Sequence, residues 1–260
     1  MSSMLPRSLI VACAAFGVLA ASAATIPGSA AVDPAAPPAL HAGVVTSFEG
    51  TVTVHPKGAV RGRAVTASGA TLEVGDAIRT RSASRAMVEL SDGSRVMVES
   101  DSTLRLLGRD SLEPQKGRVL FDIRTQGKVS GVIVHTPTAV LGVKGTRFVV
   151  EPQDDGARVF LKDGELAVSA KQGKFTRAGR GRSARAAADP RTEAFKKRLD
   201  AEFAEALAEF RLQAGEAVDI RGQNVDPIGF SRAADESFDA FEAWLLDDSD
   251  LDDFPELKRD

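Results

Sequence analysis

Met87-Val88-Glu89-Leu90-Ser91-Asp92-Gly93-Ser94-Arg95-Val96-Met97-Val98 is the stretch on which the fold turns. Two short apolar runs flank an Asp-Gly pair, which supplies the positive φ that a tight two-residue turn needs. Val88 and Leu90 then share one face with Val96 and Val98, while Glu89 and Arg95 turn to water. This is a β-hairpin. The same pattern recurs around Asp163-Gly164, which is expected to join Val159-Phe160-Leu161 to Leu166-Ala167-Val168 in a second hairpin. Further strand candidates lie between them at 104–107, 117–124, 129–136 and 145–151. Glycines lead several runs, at 50, 93, 117, 131 and 164, but their separations of 43, 24, 14 and 33 residues keep no fixed period. A regular solenoid needs one, so a β-sandwich or flattened β-roll fits better.

Outward from this β domain, assigned to residues 43–170, the composition changes on both sides. Residues 24–42 are rich in Ala and Pro and read as an extended spacer. Residues 1–23 read as an export signal, with Arg7 before the apolar run Leu9 to Ala21 and a small-residue cleavage site at Ala21-Ser22-Ala23. About 13 apolar residues are too few to span ~30 Å of hydrocarbon. The mature chain is therefore expected to be periplasmic or secreted. Cys13, inside the signal, is the only cysteine, so no intramolecular disulfide and no thiolate nucleophile is available to the rest.

On the other side, residues 171–188 carry six basic residues and no acid, and read as a linker. Asp189-Pro190 is a helix start. Phe195, Leu199, Phe203, Leu207 and Phe210 follow at steps of 4, 4, 4 and 3, which predicts one helix to about Ala214 with a single apolar stripe. Something must cover that stripe, and a partner protein is one candidate. A second helix is expected from Ser231, with Phe238, Phe241, Trp244 and Leu245 on one side. The helical region thus spans 189–246, and the Asp-rich tail 247–260 reads as disordered. Charge is segregated along the chain. Residues 1–188 hold 24 basic and 16 acidic residues, a net of +8, while 189–260 hold 9 basic and 20 acidic, a net of −11.

Chemical motifs are sparse. His41, His55 and His135 stand apart, without a second ligand at metal-binding spacing, so no metal, cofactor or catalytic residue is expected. Gly142-Val143-Lys144-Gly145-Thr146 lacks the glycine spacing of a phosphate loop. Asp248-Ser249-Asp250-Leu251-Asp252 opens like a calcium loop but has Asp253 and Arg259 where Gly and a bidentate Glu are required. The basic stretch has one aromatic residue, Phe175. It lacks a stacking platform for nucleic acid, and contact with anionic lipid is the alternative.

The run from Val134 to Val150 resembles the signature of the FecR-type extracytoplasmic domain family, an apolar strand, Thr-Pro, a small residue, a Gly-Val-Arg-Gly-Thr core and Phe in a following strand. Thr136, Pro137, Ala139, Gly142, Val143, Gly145, Thr146 and Phe148 stand in those places, with Lys144 for the commoner Arg. Gly75-Asp76-Ala77-Ile78-Arg79-Thr80, residues 86–94 and Gly164-Glu165-Leu166-Ala167-Val168 are similar to other parts of that domain. As fold chemistry, Pro137 suits a strand edge or turn, Gly142 and Gly145 permit backbone reversal, and Phe148 restarts a buried face. The resemblance implies a mainly β, non-catalytic extracytoplasmic domain acting in signal transduction or protein interaction, as in regulators that pass a receptor signal to a sigma factor. The leading expectation is an exported interaction module whose partner is another envelope protein. The alternatives are a structural envelope component that binds cell-wall glycan and a cupin-like metal enzyme.

Overall fold

The protein, seen in a computed structural model, is described for residues 40–124, 131–177, 190–202 and 207–247. Two sheets form as the chain alternates between them. β1 (His41–Glu49) lies in a ten-stranded sheet, then β2 (Val52–His55) and β3 (Arg63–Ala64) in a nine-stranded one. β4 (Ala70–Glu73) returns to the first, β5 (Ala77–Thr80) to the second, and β6 (Arg85–Leu90) and β7 (Arg95–Val98) to the first again. β8 (Thr103–Leu106) and β9 (Ser111–Lys116) follow in the second, β10 (Val119–Ile123) in the first, and β11 (Val132–His135) and β12 (Ala139–Val143) in the second. β13 (Thr146–Gln153) and β14 (Gly156–Asp163) are in the first, β15 (Glu165–Ala170) in the second and β16 (Thr176–Arg177) in the first. After α1 (Pro190–Glu202) come β17 (Glu209–Gln213) in the second sheet, β18 (Ala217–Arg221) and β19 (Asn224–Ile228) in the first, and α2 (Arg232–Asp247). Apart from the edge strands β4, β16 and β3, strand order rises steadily along both sheets, β1-β6-β7-β10-β13-β14-β18-β19 in one and β2-β5-β8-β9-β11-β12-β15-β17 in the other. Of the β-sandwich or flattened roll expected from the sequence, the mainly β architecture in two sheets is what is observed, with two helices towards the C-terminus.

The Met87–Val98 hairpin is present, with Val88 opposite Val96 and Glu89 opposite Arg95. Its turn is longer than expected. Leu90 N–H donates to Ser94 O, Gly93 N–H donates to Leu90 O, and only Gly93 has positive φ, so the loop is three residues closed by a glycine bulge. Val88, Leu90, Val96 and Val98 enter the core between the sheets, where Phe121 stacks on its cross-strand neighbour Phe148 at 4.9 Å. The opposite face is buried too. Met87, Met97, Leu120, Val149, Phe160 and Ala217 are successive cross-strand neighbours on six strands, and α2 lies on this row through Ala234, Phe238 and Phe241.

The C-terminal expectations are corrected in four places. Asp163-Gly164 does not close a hairpin, because β14 and β15 belong to different sheets and the chain crosses between them there. The helix expected over 190–214 ends at Glu202. Leu207 instead forms a bridge with Phe175, and Phe210 and Leu212 are the buried alternate positions of β17. Phe203 lies outside the described residues. A step of four keeps two residues on one face of a strand as well as of a helix. The exposed edge of β15 decides the matter by recruiting the segment, with Val168 opposite Phe210.

Third, the β domain does not end at 170, since β14 pairs with β18 and β15 with β17, and it begins at His41. Fourth, the supposed linker enters the fold, with Phe175 fully buried and β16 parallel to β19. The helical region 189–246 thus contains three strands. The signal segment, most of the spacer, residues 178–189 with the Asp189 cap, and the tail from 248 lie outside the described residues. No helix among the described residues is long and apolar enough to cross a membrane.

Candidate functional site

The signature residues run along β12 and occupy the turns at its two ends, each with a structural task. Thr136 closes the β11–β12 turn. Its N–H donates to Ala139 O at 2.9 Å and its Oγ1 accepts from Ala139 N–H at 3.1 Å, leaving Pro137 in the turn, where no ladder N–H is needed. Gly142 is inside β12, opposite Ala167, and has no positive φ. The expected backbone reversal is therefore not at Gly142 but at Gly145, whose φ is +64°. There the chain leaves the nine-stranded sheet for the ten-stranded one.

Gly164, at φ +90°, makes the reverse crossing from β14 to β15. The two crossings touch. A Cβ on Gly164 would stand 2.5 Å from both Gly145 O and Thr146 Cγ2, closer than any real contact. Val143, Thr146 and Phe148 are buried on either side of this corner. Thr, Pro, Gly, Val and Phe offer no group that titrates near neutrality, and here they are committed to a turn, a corner and the core.

The two outer sheet faces differ. On the ten-stranded sheet the apolar row under α2 is flanked by charge on both sides. One flank is the cross-strand series Glu89, Arg95, Asp122 and Arg147, from which Arg147 reaches Asp122 at 3.4 Å and Glu242 of α2 at 3.0 Å. The other runs Glu99, Arg118, Glu151, Arg158 and Asp219, with Arg118 3.2 Å from Glu99 and 2.8 Å from Glu151. Arg85, Arg147 and Lys162 stand over Trp244, Phe241 and Phe238 of the helix at 5.8, 5.6 and 5.5 Å. Glu99 lies below α2, and burial raises its carboxyl above the usual range while Ser237 and Arg118 pull it partly back. Its Oε1 is buried without a hydrogen-bond partner.

On the nine-stranded sheet Ile133, Val140, Gly142 and Ala167 face outward around the middle strands, uncovered by either helix, and Ile133 is 38% exposed.

Among the described residues of the expected helix stripe, Phe195 and Leu199 lie on α1, Leu207 in a bridge and Phe210 on β17, and Phe195, Leu199 and Phe210 are buried. Phe195 and Leu199 of α1 enter the core between the sheets with Phe175, Phe210 and Leu212, where Phe175 meets Phe210 edge-on at 5.3 Å. α1 is thus a plug for the open end of the roll. Arg198 fastens it by donating to Glu216 Oε2 at 2.6 Å and to Arg211 O at 3.1 Å. These side chains are not available to a partner in this arrangement. The sequence reading also missed the row beneath α2, although its signal was present in Met87 and Met97, apolar at the positions that alternate with Val88 and Val96. The three histidines lie on separate strands. Burial and then the charge of Lys171 hold His135 below its ordinary value, with Nε2 3.0 Å from Ser111 Oγ. Among the described residues no three His, Cys, Asp or Glu side chains gather as a metal site.

The corner, its turn and the strands around them fall inside one recognised segment. Residues 76–167 match the family model described as FecR protein. The matched segment runs from just before β5 into β15 and contains both crossings. Two crystal structures, each of a candidate anti-sigma factor from Parabacteroides distasonis, resemble the fold with TM-scores of 0.41 and 0.40 at 18% and 17% identity. Each comparison covers 65% of this chain and 64% or 63% of the other, so the chain spans a little under two thirds of their length. No curated protein matches the chain.

Proposed function

We propose that the protein is an exported, non-catalytic interaction and signal-transduction module of the cell envelope, with another envelope protein as its partner. The observation that carries this reading is the coincidence of the FecR match with a segment whose signature side chains are all committed to architecture. What remains for function is surface. Export is supported by the basic, apolar and small-residue succession over residues 1–23.

The test has two parts. Fractionation of the native source should place the chain outside the cytoplasm with an N-terminus following Ala23. Mild crosslinking in intact cells should then recover one envelope protein in near-stoichiometric yield, well above that for an unrelated exported protein. A cytoplasmic chain that retains Met1 overturns the location, and crosslinks no richer than the control overturn the interaction.

A further inference from the structure

The roll treats its outward cations unevenly. Arg85, Arg118, Arg147 and Arg158 on the ten-stranded sheet each have a carboxylate within ion-pair distance, and Arg211 at the C-terminal end of the nine-stranded sheet pairs with Glu165. The opposite end of the nine-stranded sheet is different. A cleft of about 420 Å³ opens there, and its lining includes His55, Lys57, Arg79, Thr103, Arg105 and Gln115 without any carboxylate. Among the described residues Lys57, Arg79 and Arg105 make no ion pair.

The strand register brings these charges together. Arg79 is opposite Thr103, and Arg105 is opposite Ala77, so the two arginines are diagonal neighbours on the same exposed face. Lys57 approaches from the turn after β2, its aliphatic stem lying against Gly75, where a Cβ would come within 2.7 Å of Lys57 Cδ. Glu113 is opposite Arg105 on β9, but its Oε2 accepts from Gln115 Nε2 at 2.8 Å. Like charges placed this close repel, and an anion between them removes the repulsion.

We propose that this cleft binds a phosphate-type oxyanion, gripped by the guanidinium groups of Arg79 and Arg105 with Lys57 as the third positive charge. Two planar forks and one point charge suit an anion with several oxygens and more than one negative charge. The Thr103 hydroxyl and the Gln115 amide offer neutral donors at the rim. The phosphate could belong to a free compound or to a phospholipid headgroup, which share this chemistry.

Titration of the full-length protein with inorganic pyrophosphate, followed by calorimetry and by amide shifts of Thr53, Arg79, Thr103 and Arg105, tests the site. Saturable one-site binding is expected. Arg79→Gln and Arg105→Gln should each weaken it roughly tenfold or more, with unliganded melting unchanged because both side chains are exposed. Arg211→Gln should leave binding intact. In parallel, flotation with phosphatidylglycerol–phosphatidylcholine vesicles assigns the source. Flotation lost in Arg105→Gln points to a headgroup, and pyrophosphate binding without flotation points to a free phosphate compound. No saturable binding in either arm, or binding undiminished by both cleft variants, overturns the proposal.

Discussion

Phe241→Ala tests whether α2 belongs to the folded unit or merely rests on it. Phe241 is fully buried against the outer row of the ten-stranded sheet, with the Arg147 guanidinium 5.6 Å from its ring centroid. Truncating a buried Phe costs about 3–5 kcal/mol. A helix on the outside of a sheet can settle into part of the vacated space, which favours the lower end, about 3 kcal/mol. The lost cation–π contact adds about 0.5 kcal/mol, because Arg147 keeps some contact with water. For a unit of this size each kcal/mol lowers the melting midpoint by about 2–4 °C, giving a drop of roughly 7–14 °C. Trp244, the only tryptophan, sits on α2 against the same cluster, so its fluorescence reports helix docking while far-UV circular dichroism reports the strands. The two transitions should coincide in the native chain and fall together in the variant. A dichroism midpoint that stayed put while Trp244 melted separately would refute the integration of α2.

The remaining predictions concern the corner, the turn and the buried carboxyl. Gly164→Ala carries both positive φ and a 2.5 Å overlap with Gly145 O and should cost roughly 3 kcal/mol, against about 1–2 kcal/mol for Gly58→Ala, where φ is positive but the space is open. Equal urea midpoints for the two would remove the packing of the two crossings from the account. Thr136→Val keeps the shape but removes the acceptor for Ala139 N–H, and a loss of about 1–2 kcal/mol in chemical denaturation is expected; unchanged stability would mean that the hydroxyl does not hold the turn. Glu99 has a folded-state pKa above its usual value of 4.5 because of burial, so the native state holds its proton more tightly than the unfolded chain. Its contribution to stability is therefore present in acid and falls as pH rises from 4.5 through the raised value. Glu99→Gln should lack that fall, so the stability difference between variant and native chain should change across this interval; a difference independent of pH counts against it.

The Met87–Val98 hairpin was legible because both of its determinants are local, a period of two and a glycine at the turn. The same local information misled at Asp163-Gly164. An Asp-Gly pair permits a reversal, but nothing in the pair says whether the next strand returns to the same sheet or crosses to the other. That depends on which edge lies open, and β15 is held between β12 and β17 in the sheet opposite β14, its chain neighbour. Phe148 and the Thr136 turn were legible as architecture, whereas the contact between the Gly145 and Gly164 crossings joins residues 19 apart through backbone shape alone.

Alternation, turn chemistry and charge composition, all short-range properties of the chain, by themselves determined a mainly β protein of hairpins and rolled layers without a solenoid period. Tertiary structure alone decided the destinations. Phe195 and Leu199 remained on a helix while Leu207 formed a bridge with Phe175 and Phe210 joined the edge of β15, since an unpaired strand edge offers backbone hydrogen bonds that apolar spacing alone does not encode. It also decided which charges are neutralised. Arg147 has Asp122 and Glu242 within ion-pair distance, while Arg79 and Arg105 line one cleft without a carboxylate in its wall and without an ion pair among the described residues. Net charge is a sum over the chain, but ion pairing is a matter of distance, and only the register of the strands sets that.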